Sequence, residues 1–303
     1  FELVTVTVRS LTPWSGPQLG GTVVTIAGAR VAHVEAIRCA FGSFALSAPS
    51  LAVSSGSEAS PTSVVTVASA HGSDGVRCAS PGALATGWSS VELSSYGATL
   101  RSGGSFYVHP ALHLSEVVPP AGPVAGGTQV SVLGGTGLRV SATLRCRFES
   151  SGATAPARFV GGGQIECAAP PSSSSGSRRV EVSLNGQQFS ASGVSFTYRP
   201  AASVSSVWPS RGASEGGTPV TVMGSGFSSS AAALGALRCR FNTTSVAAAW
   251  VSSTELHCVA PAHAAGVVSV EVTLNEQQHT RDGARFEYEV AAAQSVHPTS
   301  GPT

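Results

Sequence analysis

Six cysteines carry most of the chemistry that can be read from this chain: Cys39, Cys78, Cys146, Cys167, Cys239 and Cys258. Thiols in proteins pair with one another, ligate metals or act as nucleophiles. Six of them allow fifteen pairings in the abstract. Their surroundings narrow the choice, because each lies in a setting that recurs three times. A Cys-x-Phe stands at Cys39-Ala40-Phe41, Cys146-Arg147-Phe148 and Cys239-Arg240-Phe241. A Cys-x-x-Pro follows at Cys78 to Pro81, Cys167 to Pro170 and Cys258 to Pro261. One cysteine of each kind per repeat makes Cys39–Cys78, Cys146–Cys167 and Cys239–Cys258 the economical pairing. A bridge closing a loop of about 20 residues stabilises by roughly 3 kcal/mol in the chain-entropy model, and the longer first loop gains slightly more. Such bridges persist in an oxidising compartment. A structural zinc site needs four ligands, so two cysteines per repeat fall short. His257 beside Cys258 supplies no third ligand type in common, since Glu166 and Arg77 take its place in the other repeats.

Other reactive residues form no constellation. Asn242-Thr243-Thr244 is an N-glycosylation sequon, the only one in the chain. His109 and His113 have i,i+4 spacing, but Pro110 lies between them and argues against the helix a metal pair would need. Gly134-Gly135-Thr136-Gly137 and Gly224-Ser225-Gly226 follow strands but lack the Lys-Ser/Thr and the helix of a phosphate loop. There is no Gly-x-Ser-x-Gly elbow and no His-Glu-x-x-His. Asp74, Asp282 and the eight histidines are scattered. The expectation is a segment without catalytic residues, cofactor or metal. Trp14, Trp88, Trp208 and Trp250 occupy unmatched positions, which suits core or joint packing, with a sugar- or partner-binding aromatic as the sharper alternative.

The elements that position the cysteines are short strands. A Gly-Gly-Thr turn opens each repeat at Gly20-Gly21-Thr22, Gly126-Gly127-Thr128 and Gly216-Gly217-Thr218. Apolar residues then alternate with polar ones: Val24/Ile26, Val130/Val132 and Val220/Val222 early in each repeat, Val91/Leu93, Val180/Val182/Leu184 and Val270/Val272/Leu274 later. Leu237, Cys239 and Phe241 alternate with Arg238 and Arg240, which are expected to point to water. Asn185-Gly186 is a strong two-residue hairpin signal. No stretch holds a 3.6-residue period; Ser228 to Leu237 is Ala-rich and fits a helical turn at most. Seven or so short strands per repeat predict antiparallel two-sheet sandwiches.

Composition bounds the rest. Charged residues make up 11% of 303, the formal net charge is +1, and every basic residue among the 17 is Arg. Arg145/Arg147, Arg178/Arg179 and Arg238/Arg240 extend into no patch, which argues against a nucleic-acid surface. No run of about 18 apolar residues is present, so no membrane-spanning helix is expected. The first repeat has 38 residues between its cysteines, mostly because of Ser, Ala and Pro at about 47–63, which reads as a tolerated loop insertion. Phe1 lies 12 residues before Pro13, as Phe106, Phe196 and Phe286 lie 13, 13 and 12 before Pro119, Pro209 and Pro298. Phe1 thus holds the closing position of a preceding repeat, and Ser295–Pro302 matches the opening strand of a following one. The expected organisation is 1–8 as the end of a preceding repeat and joint, then 9–108, 112–199 and 203–290 as repeats, with 294–303 opening a fourth.

Taken together, Pro, Gly-Gly-Thr, Val-x-Val-x-Gly, Cys-x-Phe, Cys-x-x-Pro and a closing Phe-x-Tyr resemble the IPT/TIG immunoglobulin-like domain. The disulfide-bearing form resembles arrays in the ectodomains of plexins, the hepatocyte growth factor receptor and fibrocystin-like surface proteins. The first repeat departs from the pattern, ending Phe106-Tyr107-Val108. The resemblance implies an all-β immunoglobulin-like sandwich and a non-enzymatic role as extracellular spacer, adhesion or protein-interaction segment of a surface glycoprotein. Its partners would be other proteins or neighbouring repeats, and its location the cell surface, including the cilium. Short joints such as Tyr198-Arg199-Pro200-Ala201-Ala202 favour a semi-rigid array. Alternatives are the stalk of a ligand-binding receptor, an accessory module of a secreted carbohydrate-active enzyme, or the DNA-binding use of the fold in Rel-type transcription factors, which neutral charge and paired cysteines oppose.

Overall fold

A computed structural model of the chain describes residues 7–29, 36–43, 64–72, 75–96, 98–134, 137–149 and 153–290. The insertion at about 47–63, Phe1, Asp74 and the 294–303 segment lie outside the described residues. The chain forms two compact units. One holds Phe1–Val117, Ser131–Cys167 and Arg179–Ser195; the other holds Val118–Val130, Ala168–Arg178 and Phe196–Thr303. Nearly all regular structure is strand, as the alternation requires.

In the first unit, the first repeat is two sheets. One runs Thr7–Thr12, Val23–Ala29, Gly75–Ala79, Ser69–Ala70; the other runs Ser15–Pro17, Ala98–His109, Gly87–Ser95, Ile37–Ser43, Val64–Val67. Val24, Ile26, Cys39, Phe41, Val91, Leu93 and Phe106 fill the space between them, each fully buried. Ala68 separates Val64–Val67 from Ser69–Ala70; its N–H donates to Ile37 O at 3.1 Å, and the chain switches sheets there. The same unit holds Arg145–Phe148 of the second repeat, paired antiparallel with Thr154–Gly161 and with Gly176–Ser183.

In the second unit, the third repeat is one continuous eight-stranded sheet folded on itself. Its order is Ser203–Trp208, Pro219–Ser225, Glu255–Val259, Thr244–Ser252, Arg238–Phe241, Gly266–Thr273, Arg285–Glu289, Arg211–Ala213. Thr244–Ser252 does the folding: its first half pairs with Arg238–Phe241 and its second half with Glu255–Val259. The Ala-rich stretch supplies the single described helical turn, Ser229–Ala233, which buries Ala231. Pairing is not purely antiparallel. Ser15–Pro17, Ala121–Pro123 and Arg211–Ala213 each run parallel to the closing strand of their own repeat.

The recurring motifs meet in space, which explains their recurrence. Gly21 N, Gly127 N and Gly217 N donate to Ser80 O, Ala169 O and Ala260 O at 2.8, 2.8 and 2.9 Å. The same Ser80, Ala169 and Ala260 donate their N–H back to Thr22, Thr128 and Thr218 O. The Gly-Gly-Thr turn and the Cys-x-x-Pro turn are therefore two halves of one contact. The first glycine has φ near 80° in every repeat (77°, 76° and 81° at Gly20, Gly126 and Gly216), a region that disfavours side chains. A Cβ there would stand 2.5, 2.7 and 2.7 Å from the carbonyl carbons of Pro81, Pro170 and Pro261. A second tight spot recurs at Gly16, Gly122 and Gly212, where a Cβ would stand 2.1, 2.2 and 2.3 Å from the hydroxyls of Thr22, Thr128 and Thr218. Burying each phenylalanine of Cys-x-Phe contributes about 1.5–3 kcal/mol. Phe41 meets the closing Phe106, and Phe241 meets Phe286, edge-on at 5.7 and 5.6 Å.

Candidate functional site: the loops that join successive repeats

The six cysteines form three disulfides, Cys39–Cys78, Cys146–Cys167 and Cys239–Cys258, with Cα separations of 6.3, 6.5 and 6.4 Å. All six are at most 3% exposed, so each bridge pins two strands across a core and offers no reactive sulfur. Asn242 sits exposed at the tip of the tight hairpin between Arg238–Phe241 and Thr244–Ser252, at φ 53°, with its amide 3.3 Å from His263 Nε2.

The remaining candidates stay apart. His109 is buried and its Nδ1 lies 2.8 Å from Pro110 O, a hydrogen bond within the joint rather than a ligand geometry. Burial holds its pKa below the usual histidine value, opposed by the Pro110 carbonyl and reinforced by Arg139. Among the described residues no group of three or more His, Cys, Asp or Glu is placed to hold a metal ion, and no helix is long and apolar enough to cross a membrane. Trp14 stacks on Trp88 at 5.9 Å; both pack on Tyr107, whose ring carries the Arg139 guanidinium at 3.9 Å. Trp208 is 75% exposed, while Trp250 Nε1 donates to Phe227 O at 3.3 Å. The tryptophans therefore serve different surroundings, as their unmatched sequence positions imply.

The polar residues that do converge lie on the Asn185–Gln188 and Asn275–Gln278 loops. Asn185-Gly186 is not a two-residue hairpin. The chain turns over a longer loop and re-forms its ladder where Ser190 N donates to Val182 O at 2.9 Å. Asn185 Oδ1 accepts from the N–H groups of Gln187 and Gln188 at 2.9 and 3.1 Å and so organises the loop from within. Its Nδ2 donates to Ser15 O and Thr22 Oγ1, both at 3.2 Å. Gln187 makes two bonds to the main chain of Val23: Oε1 accepts its N–H at 2.8 Å and Nε2 donates to its carbonyl at 2.9 Å. Gln188 takes the Thr22 hydroxyl at 2.9 Å and donates to Gly21 O at 3.0 Å. The loop of the second repeat is thus bonded to the Gly-Gly-Thr turn of the first.

The third repeat repeats the device on the second. Asn275 Oδ1 accepts from Gln277 N and Gln278 N, both at 3.1 Å, and its Nδ2 donates to Thr128 Oγ1 at 3.3 Å. Gln277 makes the same pair of bonds to the Gln129 main chain, at 2.8 and 2.9 Å. The Thr128 hydroxyl donates to Gln278 Oε1 at 2.9 Å. Thr22 and Thr128 are fully buried beneath these loops. The signal that could have revealed this is the shared Asn-x-Gln-Gln at Asn185–Gln188 and Asn275–Gln278, spaced identically from the preceding Val-x-Val strand.

A second correction concerns Arg240. It does not simply face water: it is half-buried and its Nε is enclosed with no hydrogen-bond partner. The neighbouring closing residue Tyr198 is also enclosed. Its hydroxyl donates to Pro170 O at 2.7 Å, and burial pushes its pKa up to about 12.

Comparison with known proteins agrees with the repeat pattern. The family model described as "IPT/TIG domain" matches residues 112–198 and 202–288. No curated protein matches the chain. Among solved structures, the full extracellular region of plexin A4 aligns at 20% identity and a TM-score of 0.46, covering 86% of this chain and 21% of that one. A second plexin A4 extracellular structure aligns at 13% identity and a TM-score of 0.39, covering 95% and 34%. The SGBP-B protein of a Bacteroides ovatus mixed-linkage glucan utilization locus, in complex with a heptasaccharide, aligns at 12% and 0.26, covering 93% and 67%. The chain therefore spans about a fifth and about a third of the two plexin structures it matches.

Proposed function

The chain belongs to the IPT/TIG domain family, and from that premise we propose that it is a non-enzymatic structural and interaction segment of a larger extracellular or cell-surface protein. Three sandwiches, at 9–108, 112–199 and 203–290, act as a semi-rigid spacer that presents surfaces to other proteins. The observation that carries this reading is the joint. Each Asn-x-Gln-Gln loop makes several hydrogen bonds to the turn of the repeat before it, and a bare flexible linker would need none of them. The enclosed disulfide in each repeat supports an oxidising compartment, and the open hairpin tip at Asn242 supports glycosylation there.

The test is peptide mapping of the secreted chain without reduction. The expected result is three local cross-links and no free thiol, with a glycosidase-sensitive mass on the peptide containing Asn242. Free thiols at all six positions would sink the extracellular reading. Small-angle scattering addresses the spacer separately: the maximum dimension should stay unchanged between low and high salt, and a broad distribution of dimensions would refute stiffness.

A further inference from the structure

In the unit built from Val118–Val130, Ala168–Arg178 and Phe196–Thr303 there is a cavity of about 450 Å³. Gly122 and Pro123 form one wall, and the Asn275–Arg281 loop forms another. Its charged lining is Arg199, Arg240, His279 and Arg281, and no carboxylate lines it. From this we infer that the cavity is a binding site for a small organic oxyanion, about the size of a monosaccharide, that carries a sulfate, phosphate or carboxylate group.

Three observations support the inference. First, buried polar nitrogens in the lining are unused. Arg240 Nε and His279 Nε2 are buried and have no hydrogen-bond partner. Arg199 spends one bond on Ser230 Oγ at 2.6 Å, and Arg240 and Arg281 have no ion-pair partner among the described residues. Buried unpaired donors are rare in native proteins and call for a partner. Guanidinium groups are donors only, and they fit carboxylate and sulfate geometry. Second, nearby acceptors are already engaged. Glu271, opposite Arg240 in the ladder, accepts the Thr280 hydroxyl, and Asp282 accepts the Val204 N–H at 2.6 Å. The amides of Asn275, Gln277 and Gln278 are held by the joint. Third, the equivalent arginine in the other joint already has partners. There Arg147 pairs with Glu181 at 2.5 Å, and Phe189 covers its guanidinium at 4.0 Å. His279 stands in sequence where Phe189 stands, and its smaller, polar ring lines the cavity. Val272, Leu274 and Pro200 give the cavity an apolar wall for a sugar ring, and its volume falls within the range of small-ligand sites, roughly 300–1,000 Å³.

The test is calorimetric titration of the whole chain at constant ionic strength with glucose 6-sulfate, glucose 6-phosphate and glucuronate, with glucose as the uncharged control. The expected result is saturable binding of at least one anion and none of glucose; which anion binds identifies the group. Arg240→Gln and Arg281→Gln should each weaken binding at least about 10-fold. Arg281 is exposed, so Arg281→Gln should keep the fold, and circular dichroism checks this. Arg147→Gln should leave binding unchanged. No saturable binding of any of the three anions overturns the inference. So does equal binding by the Arg240→Gln/Arg281→Gln double variant, or an equal loss in Arg147→Gln.

Discussion

The two joints share a core of bonds and differ in what covers the neighbouring arginine. In both, an asparagine shapes a loop from within, and two glutamines grip the threonine hydroxyl and the next residue's main chain. In the first, Phe189 lies over Arg147, and Glu181 neutralises it. In the second, His279 replaces the phenylalanine, Glu271 is drawn to Thr280, and Arg240 faces a cavity. The lesson is that spacing between repeats and surface chemistry are carried by different residues. Main-chain-directed amides set the joint, and the residue one place beyond the glutamines is free to vary.

The largest effect is expected from removing the organising asparagines. Asn185→Ala and Asn275→Ala each leave buried partners unsatisfied, at a cost of about 3 kcal/mol. Opening of the loop should then become ~100-fold more frequent. Hydrogen exchange reads this at the two gripped amides: Val23 should speed up in Asn185→Ala and Gln129 in Asn275→Ala, each without the other. Equal acceleration of both amides by either variant would mean that the joints are not separate devices. Exchanging the neighbours comes next. Phe189→His should cost about 1–2 kcal/mol through lost burial and the lost ring–guanidinium contact. His279→Phe should be tolerated and should abolish anion binding. Retained binding in His279→Phe would break the contrast between the two joints.

Much of this architecture was legible in the sequence because its causes are local. Period-2 alternation at Val220/Val222 and Val270/Val272 demands strands. Glycine at 20, 126 and 216 marks a backbone region other residues disfavour, and Cys-x-Phe with Cys-x-x-Pro brings one thiol from each side of a core. The joints were not legible, because Gln187 and Gln277 act on residues about 150 positions or more away in the chain. A polar Asn-Gly followed by two glutamines looks like any solvated turn until its distant partner is known. Arg240 departs from the outward expectation for a related reason: alternation assigns it to the outer face, but near the joint that face borders a cavity walled by Gly122 and Pro123 of the preceding repeat.

Acid should separate the joints further. Burial, then Arg240, holds the His279 pKa below the usual histidine value, with Glu271 opposing. A histidine kept neutral by the fold takes up a proton more readily when unfolded. Its contribution is therefore complete above about pH 6.5 and is lost as pH falls from there through the lowered folded value. Relative to the intrinsic rate, which itself falls with pH, exchange at Gln129 should show an excess at pH 5 over pH 7.5, and His279→Phe should remove the excess. An undiminished excess in that variant would assign the effect to another group. The loss is modest because the ring is only partly enclosed.

The smallest effect is expected at the charge pair that closes the first joint. The Arg147 and Glu181 side chains are 38% and 14% exposed, so water screens the pair from one side. Glu181→Gln keeps a hydrogen-bond acceptor for the guanidinium and removes only the charge, so stability should fall by less than about 1 kcal/mol. The Phe189 ring still covers the cation, and little of the closure depends on the carboxylate. The contrast between the joints then rests on the ring, and ionic strength can check it. In 1 M salt, where the Debye length is about 3 Å, the wild-type chain should lose the advantage of Glu181 and match Glu181→Gln in the denaturation midpoint of the second repeat. A large gap that survives in salt would move the weight of the joint from the Phe189 ring to the carboxylate.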